Sequence, residues 1–169
     1  MPSARLGGRL RLAAVPPHKA RYGEACDYLE REIRKLGVDI HLNAAVTEVE
    51  LDSRKPDAVI LATGSVPFVP PIQGLSGGGA VLVDDVLEGR APVGRRVAII
   101  GGGAIGAETA HLLVEEEDRE VYLIEMRDGI AVDLPQDARI CLLHAFEQTP
   151  SLHQITNAKV TAVTPESIT

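Results

Sequence analysis

The stretch that decides the fold covers residues 97–106 and reads Val-Ala-Ile-Ile-Gly-Gly-Gly-Ala-Ile-Gly. Its apolar half predicts a buried strand over Arg96–Ile100, and the residues from Ala104 to about Glu116 predict a helix with an apolar stripe. Val121–Ile124 predicts the next strand. Because strand, helix and strand within about 30 residues form the parallel βαβ unit, the stretch predicts an α/β fold with a parallel sheet.

The turn between this strand and this helix has the GxGxxG spacing: Gly101, Gly102, Gly103, Ala104, Ile105 and Gly106. In such turns the first glycine permits a tight bend, the second lets backbone approach a pyrophosphate, and the third lets the helix pack closely. The N-terminus of the helix presents free N–H groups and a partial positive charge to phosphates. We therefore predict a dinucleotide site here. The alternative is a glycine-rich turn without a ligand.

An acid follows the second strand of this unit. Glu125 lies 19 positions after Gly106, close to the spacing of about 20 expected for a ribose-binding acid. A carboxylate there accepts hydrogen bonds from the adenosine ribose and repels a 2′-phosphate, so we predict NAD(H) over NADP(H). Arg127 is the competing signal, since a nearby arginine can hold a 2′-phosphate. The preference stays open between these two residues.

The residues before the glycine turn predict a second α/β region. Helical spacing predicts a helix over Tyr22–Leu36, closed by Gly37. Val38–Leu42 alternates as a half-buried strand does, and the apolar residues 57–63 predict a strand covered on both faces. Ser65–Gly79 is rich in proline and glycine and predicts a domain boundary.

Shorter patterns predict the remaining elements. Residues 1–21 predict a loop, and Val81–Val83 predicts a short strand before a helix capped by Asp84 and ending at Gly89. Pro135 suits the first turn of another helix, and residues 155–168 predict strands.

Composition excludes several classes of partner. The net charge of −7 argues against nucleic acid, which requires clustered Lys and Arg. No apolar run approaches the ~20 residues that span a membrane, and the N-terminus lacks a signal-peptide stretch, so we expect neither a membrane nor secretion. With 2 cysteines and no CxxC, we expect a reducing, cytoplasmic location and neither dithiol chemistry nor a cluster held by this chain.

The other reactive residues give weaker signals. Cys141 and His144 lie three apart, but Cys141 falls on the apolar stripe of its helix, so we predict core packing and no metal site. The acidic run over residues 115–118 predicts a solvated helix end. No nucleophile–base pair is evident, and we predict no catalytic residue in this chain.

Several motifs occur in an order that resembles a known family: Gly7-Gly8-Arg9-Leu10, Ala62-Thr63-Gly64, Val83-Asp84-Asp85-Val86-Leu87, and the glycine turn with its strand. The chain resembles the pyridine-nucleotide half of the NADH:flavin oxidoreductase / 2,4-dienoyl-CoA reductase family, within the pyridine nucleotide-disulfide oxidoreductase-like superfamily. That resemblance implies a larger enzyme with an FMN-binding barrel, a 4Fe–4S cluster and a C-terminal FAD/NAD(P)H module.

The resemblance also implies nested Rossmann-like folds, both incomplete. Residues 1–66 would be the later part of the FAD-binding fold, 67–79 a linker, and 80–169 the NAD(P)H-binding fold, truncated at its C-terminal end. The residues expected near FAD are Gly8, Ala62, Thr63 and Gly64, with Val46 near its adenine. Those expected near NAD(H) are the glycine-turn residues 101–106 and Glu125.

The chain departs from the family pattern because it lacks the first glycine fingerprint, the barrel and the cluster cysteines. We therefore expect a fragment cut at both ends, without turnover of its own. The main hypothesis is an NAD(H)-binding part of a flavin-dependent oxidoreductase, in which NADH reduces FAD and electrons pass to an FMN/enoate reductase site. The alternatives are a non-catalytic adenine-nucleotide-binding module and an assembly domain whose exposed strand edges form a homo-oligomer.

Overall fold

The structure is a computed structural model that describes residues 4–75, 79–115 and 118–169. The chain divides into two compact units, one with the described residues up to 14 and residues 19–66, the other with residues 15–18 and 67–169. Its elements, in chain order, are α1 (Arg9–Leu12), α2 (Ala20–Lys35), α3 (Glu48–Arg54), α4 (Val83–Leu87), β1 (Arg96–Ile100), α5 (Ala104–Val114), β2 (Glu120–Ile124), α6 (Gln136–Glu147) and β3 (Leu152–Ile155).

The second unit is built on a parallel three-stranded sheet in the order β1-β2-β3. Arg96 pairs with Glu120 at the start of β1 and β2, and Val121 pairs with Leu152 between β2 and β3. Parallel neighbours need a crossover connection, which α5 and α6 supply. The α/β fold class with a parallel Rossmann-like sheet is thus confirmed.

One face of this sheet carries the hydrophobic core. Val121 and Leu123 of β2 have no exposed surface, and α5 covers them with Ala107 and Ala110, which are equally buried. The remaining members of the core are Ile99, Leu113, Ile130, Ala131, Leu142, Phe146 and Leu152. Aliphatic side chains supply most of this core, as the 3% aromatic content requires.

The first unit is helical. The guanidinium group of Arg11, in α1, forms ion pairs with two carboxylates of α2: Asp27, at 2.8 Å, and Glu30, at 3.3 Å. The pKa of the Asp27 carboxyl is lowered, chiefly by its hydrogen bond to Arg11. Thr47 and Glu50 form a reciprocal capping box at the start of α3.

Two strands predicted in the first unit are wrong. Residues 38–42 and 57–63 have no regular structure, and Ile60 and Leu61 are 90% and 83% exposed. A strand needs backbone partners on a neighbouring strand, and the described residues of this unit contain no strand to supply them. The predicted loop at residues 1–21 is also wrong, since α1 and the start of α2 fall there; residues 1–3 lie outside the described ranges.

Three short predictions in the second unit need correction. Val83 begins α4 instead of ending a strand, and Asp84 lies in the first turn of that helix, with Leu82 at the N-cap. Pro135 is the N-cap residue of α6. The tail forms β3 and isolated bridges, among them Gln73 with Ala162, instead of continuous strands over residues 155–168.

The prediction that Cys141 packs in the core is wrong, because Cys141 is exposed. The buried residues of α6 are Leu142 and Phe146, four positions apart, so Cys141 lies beside the covered stripe. In the acidic run after α5, residues 116 and 117 lie outside the described ranges. No helix in the described ranges is long and apolar enough to cross a membrane.

Candidate dinucleotide-binding site

The glycine turn lies where β1 ends and α5 begins. Gly101 has a φ of +106°, a conformation that strains a residue with a side chain. Its N–H donates to the carbonyl oxygen of Ile124 at 2.8 Å, which fixes the turn against the end of β2. Gly101 therefore makes the tight bend that the sequence motif predicts.

The other glycines of the turn differ in what surrounds them. A Cβ on Gly106 would overlap the carbonyl oxygen of Gly101, so the close approach of α5 to β1 requires a glycine. A Cβ on Gly102 would lie 2.6 Å from Ile130 Cδ1 and would also crowd Glu125. A Cβ on Gly103 would meet the Asp133 carboxylate at 3.3 Å. Because a carboxylate can move, the backbone at Gly103 can be reached by a ligand, unlike that at Gly102 and Gly106.

Glu125 follows β2 and lies directly against the turn. Only 9% of the residue is exposed. Its Oε2 accepts a hydrogen bond from Gly102 N at 2.8 Å, and its Oε1 accepts one from Arg127 N at 2.8 Å. An ionised carboxylate has about four acceptor positions, so each oxygen keeps capacity for a further donor such as a ribose hydroxyl. Glu125 also holds the turn in shape, a role that the sequence does not predict.

Arg127 enters this site through its backbone. Its N–H donates to Glu125, and its carbonyl oxygen accepts from Asn157 N at 2.8 Å. The residue as a whole is exposed. The structure thus brings Arg127 to the carboxyl end of β2 beside the predicted ribose acid.

Asp133 is a residue of this site that the sequence does not predict. Its Oδ1 accepts a hydrogen bond from Ala104 N, the first N–H of α5, at 2.8 Å. The first turn of α5 contains no acidic residue, and its N-cap is Gly103, so Asp133 supplies the negative charge that a helix N-terminus favours. The two partners lie 29 positions apart, which no local pattern predicts. The one signal is an acid inside the apolar run 130–134.

The residues predicted to lie near FAD belong to the first unit, whereas the glycine turn and Glu125 belong to the second. Gly8 is the N-cap residue of α1, and Val46 is 70% exposed just before α3. Ala62, Thr63 and Gly64 are exposed and irregular, with Gly64 at a φ of +73°. The binding roles of all these residues stay predictions.

Residues suited to a metal are not brought together. In the described ranges, no group of three or more His, Cys, Asp or Glu side chains could hold a metal ion. Cys26 and Cys141 are both free thiols, one buried and one exposed.

A glycine turn at the end of a parallel strand, opening a helix and flanked by a buried acid, is the arrangement typical of dinucleotide-binding α/β domains. Residues 52–169 match the family described as "Pyridine nucleotide-disulphide oxidoreductase". The chain belongs to this family, which confirms the superfamily predicted from the sequence.

Two curated relatives extend the similarity over nearly all of the chain. Bilirubin reductase from Mediterraneibacter gnavus is 36% identical over 163 residues, which are 96% of this chain and 25% of that protein. NADH oxidase from Thermoanaerobacter brockii is 33% identical over 167 residues, again 96% of this chain and 25% of that protein. The chain thus spans about a quarter of the length of these relatives.

A solved structure agrees with these relatives. The 2-naphthoyl-CoA reductase complex with 2-naphthoyl-CoA superposes with a TM-score of 0.89 and 26% sequence identity, covering 98% of this chain and 25% of that one. The relatives are oxidoreductases, and the resemblance to the NADH:flavin oxidoreductase family is confirmed.

Proposed function

We propose that residues 80–169 bind NADH, in preference to NADPH, as the nicotinamide module of a flavin-dependent oxidoreductase. The observation that carries the proposal is the glycine turn at residues 101–106 with the buried Glu125 carboxylate hydrogen-bonded to it at 2.8 Å. A turn that served packing alone would need small residues at 102 and 106, but would not need open backbone at Gly103.

The pyrophosphate would be held by backbone. The N–H groups at the start of α5 and the positive end of that helix suit an anion, and Gly103 gives a ligand access to them. The residues that would hold this part of the cofactor are Gly101, Gly102, Gly103, Ala104, Ile105 and Gly106.

Glu125 would bind the adenosine ribose. Its two oxygens are already oriented by Gly102 N and Arg127 N, so a ribose hydroxyl would meet a carboxylate held in one position. A 2′-phosphate would meet the same buried negative charge and be repelled. Arg127 acts against this preference if its exposed side chain reaches the phosphate, and the comparison of NADH with NADPH decides between the two residues.

The wider activity rests on the relatives. Bilirubin reductase, NADH oxidase and 2-naphthoyl-CoA reductase are each about four times as long as this chain. In a corresponding longer protein, the cofactors would supply hydride transfer from NADH to FAD and electron transfer through a 4Fe–4S cluster to an FMN site that reduces an activated alkene. Gly8, Val46, Ala62, Thr63 and Gly64 would contact FAD, and the remainder of that protein would be the principal partner.

A calorimetric titration of the full chain with NADH, NADPH and ADP tests the proposal. We expect NADH to bind more tightly than NADPH, and more tightly than ADP if the nicotinamide half is also held. Equal affinity for NADH and ADP would favour an adenine-nucleotide-binding module instead. Absence of binding by all three ligands would contradict a dinucleotide site in this chain.

Gly103→Val is the matched variant for this titration. Since the three atoms nearest to a Cβ on Gly103 all belong to the movable Asp133 carboxylate, at 3.3–3.7 Å, the fold should tolerate the change. The valine nevertheless occupies the face of the turn that the pyrophosphate approaches, so NADH affinity should fall at least about tenfold. Gly79→Val, where a Cβ meets nothing within 4 Å, is the control. Unchanged NADH affinity in Gly103→Val would contradict the assignment of the turn.

A further inference from the structure

The segment between β2 and α6 folds back over the glycine turn. Ala131 N donates to the carbonyl oxygen of Gly102 at 2.7 Å, and Ile130 packs against Gly102. Ile130 and Ala131 are 2% and 0% exposed, so the segment is part of the hydrophobic core. We call residues 126–134 the covering segment.

The covering segment is held in a defined shape. Ala131 has a φ of +53°, which is uncommon for a residue with a Cβ and persists where the surroundings impose it. Arg139 of α6 donates from Nε to the carbonyl oxygen of Ile130 at 2.8 Å, and Leu134 N donates to Ala131 O at 3.1 Å. The position of Asp133 therefore follows from a well-anchored backbone.

This anchoring delivers a carboxylate to the first N–H of α5. Asp133 Oδ1 accepts from Ala104 N at 2.8 Å, and Oδ2 lies 3.3 Å from the position of a Cβ on Gly103. These are the N–H group and the glycine that face the pyrophosphate in a turn of this kind. The helix terminus thus already binds an anion, supplied by the protein itself.

Asp133 differs from Glu125 in how firmly it is held. In the described ranges, Glu125 is buried and accepts two backbone hydrogen bonds, whereas Asp133 is exposed and its carboxylate accepts one. Rotation of the Asp133 side chain would release Ala104 N to solvent or to a ligand without moving the anchored backbone.

We propose that Asp133 is an internal competitor for the pyrophosphate position, which a dinucleotide must displace to reach Ala104 N. The proposal rests on the dinucleotide site proposed above and adds a determinant of its affinity. Two negative groups cannot share one N–H at close range without repulsion, so the Asp133 carboxylate lowers the affinity for every ligand that places a diphosphate there. A ligand without phosphate is unaffected.

The test compares Asp133→Asn with Asp128→Asn, an equal change of charge at an exposed residue of the covering segment. Full-length wild-type and variant chains are titrated with ADP and with adenosine. We expect Asp133→Asn to bind ADP about fivefold more tightly, on the scale of a lost carboxylate–helix-terminus interaction, with adenosine affinity unchanged. Asp128→Asn should match wild type with both ligands.

Thermal unfolding separates competition from a merely structural role. Asp133 also stabilises the start of α5, so Asp133→Asn should melt at a lower temperature while binding ADP more tightly. If Asp133 only supported the site, Asp133→Asn would lower both the melting temperature and the affinity for ADP, and that result would overturn the proposal. Equal ADP affinity of wild type and Asp133→Asn would also overturn the proposal, but it would not contradict the dinucleotide site. Absence of ADP binding by every variant would instead overturn the site itself and this inference with it.

Discussion

Similar sequence patterns form different structures in the two units of this chain. In the second unit, the apolar runs of β1 and β2 pair with each other and lie beneath α5, with Val121 and Leu123 fully buried. In the first unit, an equally apolar run at residues 57–63 is exposed and irregular. A buried-strand pattern thus specifies a strand only where the same unit supplies neighbouring strands, whereas helices such as α2 form from local contacts.

The sharpest test of this comparison is a pair of identical substitutions, Leu123→Ala and Leu61→Ala. Leu123 is fully buried, so its truncation leaves a cavity and should lower the free energy of unfolding by about 2–5 kcal/mol. Leu61 is 83% exposed, so its truncation should change that free energy by less than about 0.5 kcal/mol. Urea unfolding measures each change in the free energy of unfolding, and hydrogen exchange shows which unit it affects. A large loss at Leu61 would show that residues 57–63 are covered after all.

A second pair tests the glycine turn within the folded unit. Gly106→Ala forces a Cβ against the carbonyl oxygen of Gly101, so α5 must move away from β1. We expect a loss of about 1–3 kcal/mol in stability together with weaker NADH binding. Gly94→Ala is the control, since a Cβ there meets nothing within 4 Å. Equal stability of the two variants would mean that the close approach of α5 is not required.

The second unit was more predictable from sequence because its signals are local and mutually supporting. The strand at Arg96–Ile100 has the predicted bounds, and the helix from Ala104 ends at Val114, near the predicted end. The position of Glu125 beside the turn follows from its place directly after β2. Asp133 was not predictable because its contact with Ala104 depends on the left-handed turn at Ala131, an ordinary residue whose conformation the core imposes.

Glu125→Gln examines the acid that joins the sheet to the turn. The amide keeps one acceptor oxygen, so one of the N–H groups of Gly102 and Arg127 loses its partner in a buried place. We expect a loss of about 1–2 kcal/mol in stability and a smaller preference for NADH over NADPH. Glu120→Gln, at the first residue of β2, is the control, since the surface pair of Glu120 with His153 contributes at most about 1 kcal/mol. An unchanged preference for NADH would mean that a residue other than Glu125 distinguishes NADH from NADPH, and Arg127 would be the first residue to test.

The smallest expected effect is a pH dependence confined to the second unit. His111 on α5 is partly buried among His18, whose ring centroid lies 6.0 Å away, Phe146, and Glu115, whose carboxylate lies 3.8 Å from Nε2. Burial lowers the pKa of His111 below its ordinary value of 6.5, Glu115 opposes this change, and His18 adds to it.

His111 takes up a proton less readily in the folded unit than in the unfolded chain. Its contribution to the free energy of unfolding is therefore fully present above pH 6.5. It should decrease as the pH falls from that value and level off below the folded pKa. In the first unit, Arg11 lowers the pKa of Asp27 below 3.8, so the contribution of that pair persists until more acidic conditions. Hydrogen exchange at pH 7 and pH 5.5 should therefore show opening of α5 but not of α2. His111→Gln should abolish the difference, and His144→Gln, at an exposed histidine of α6, should retain it. Equal acid sensitivity of α2 and α5 would contradict a role for His111.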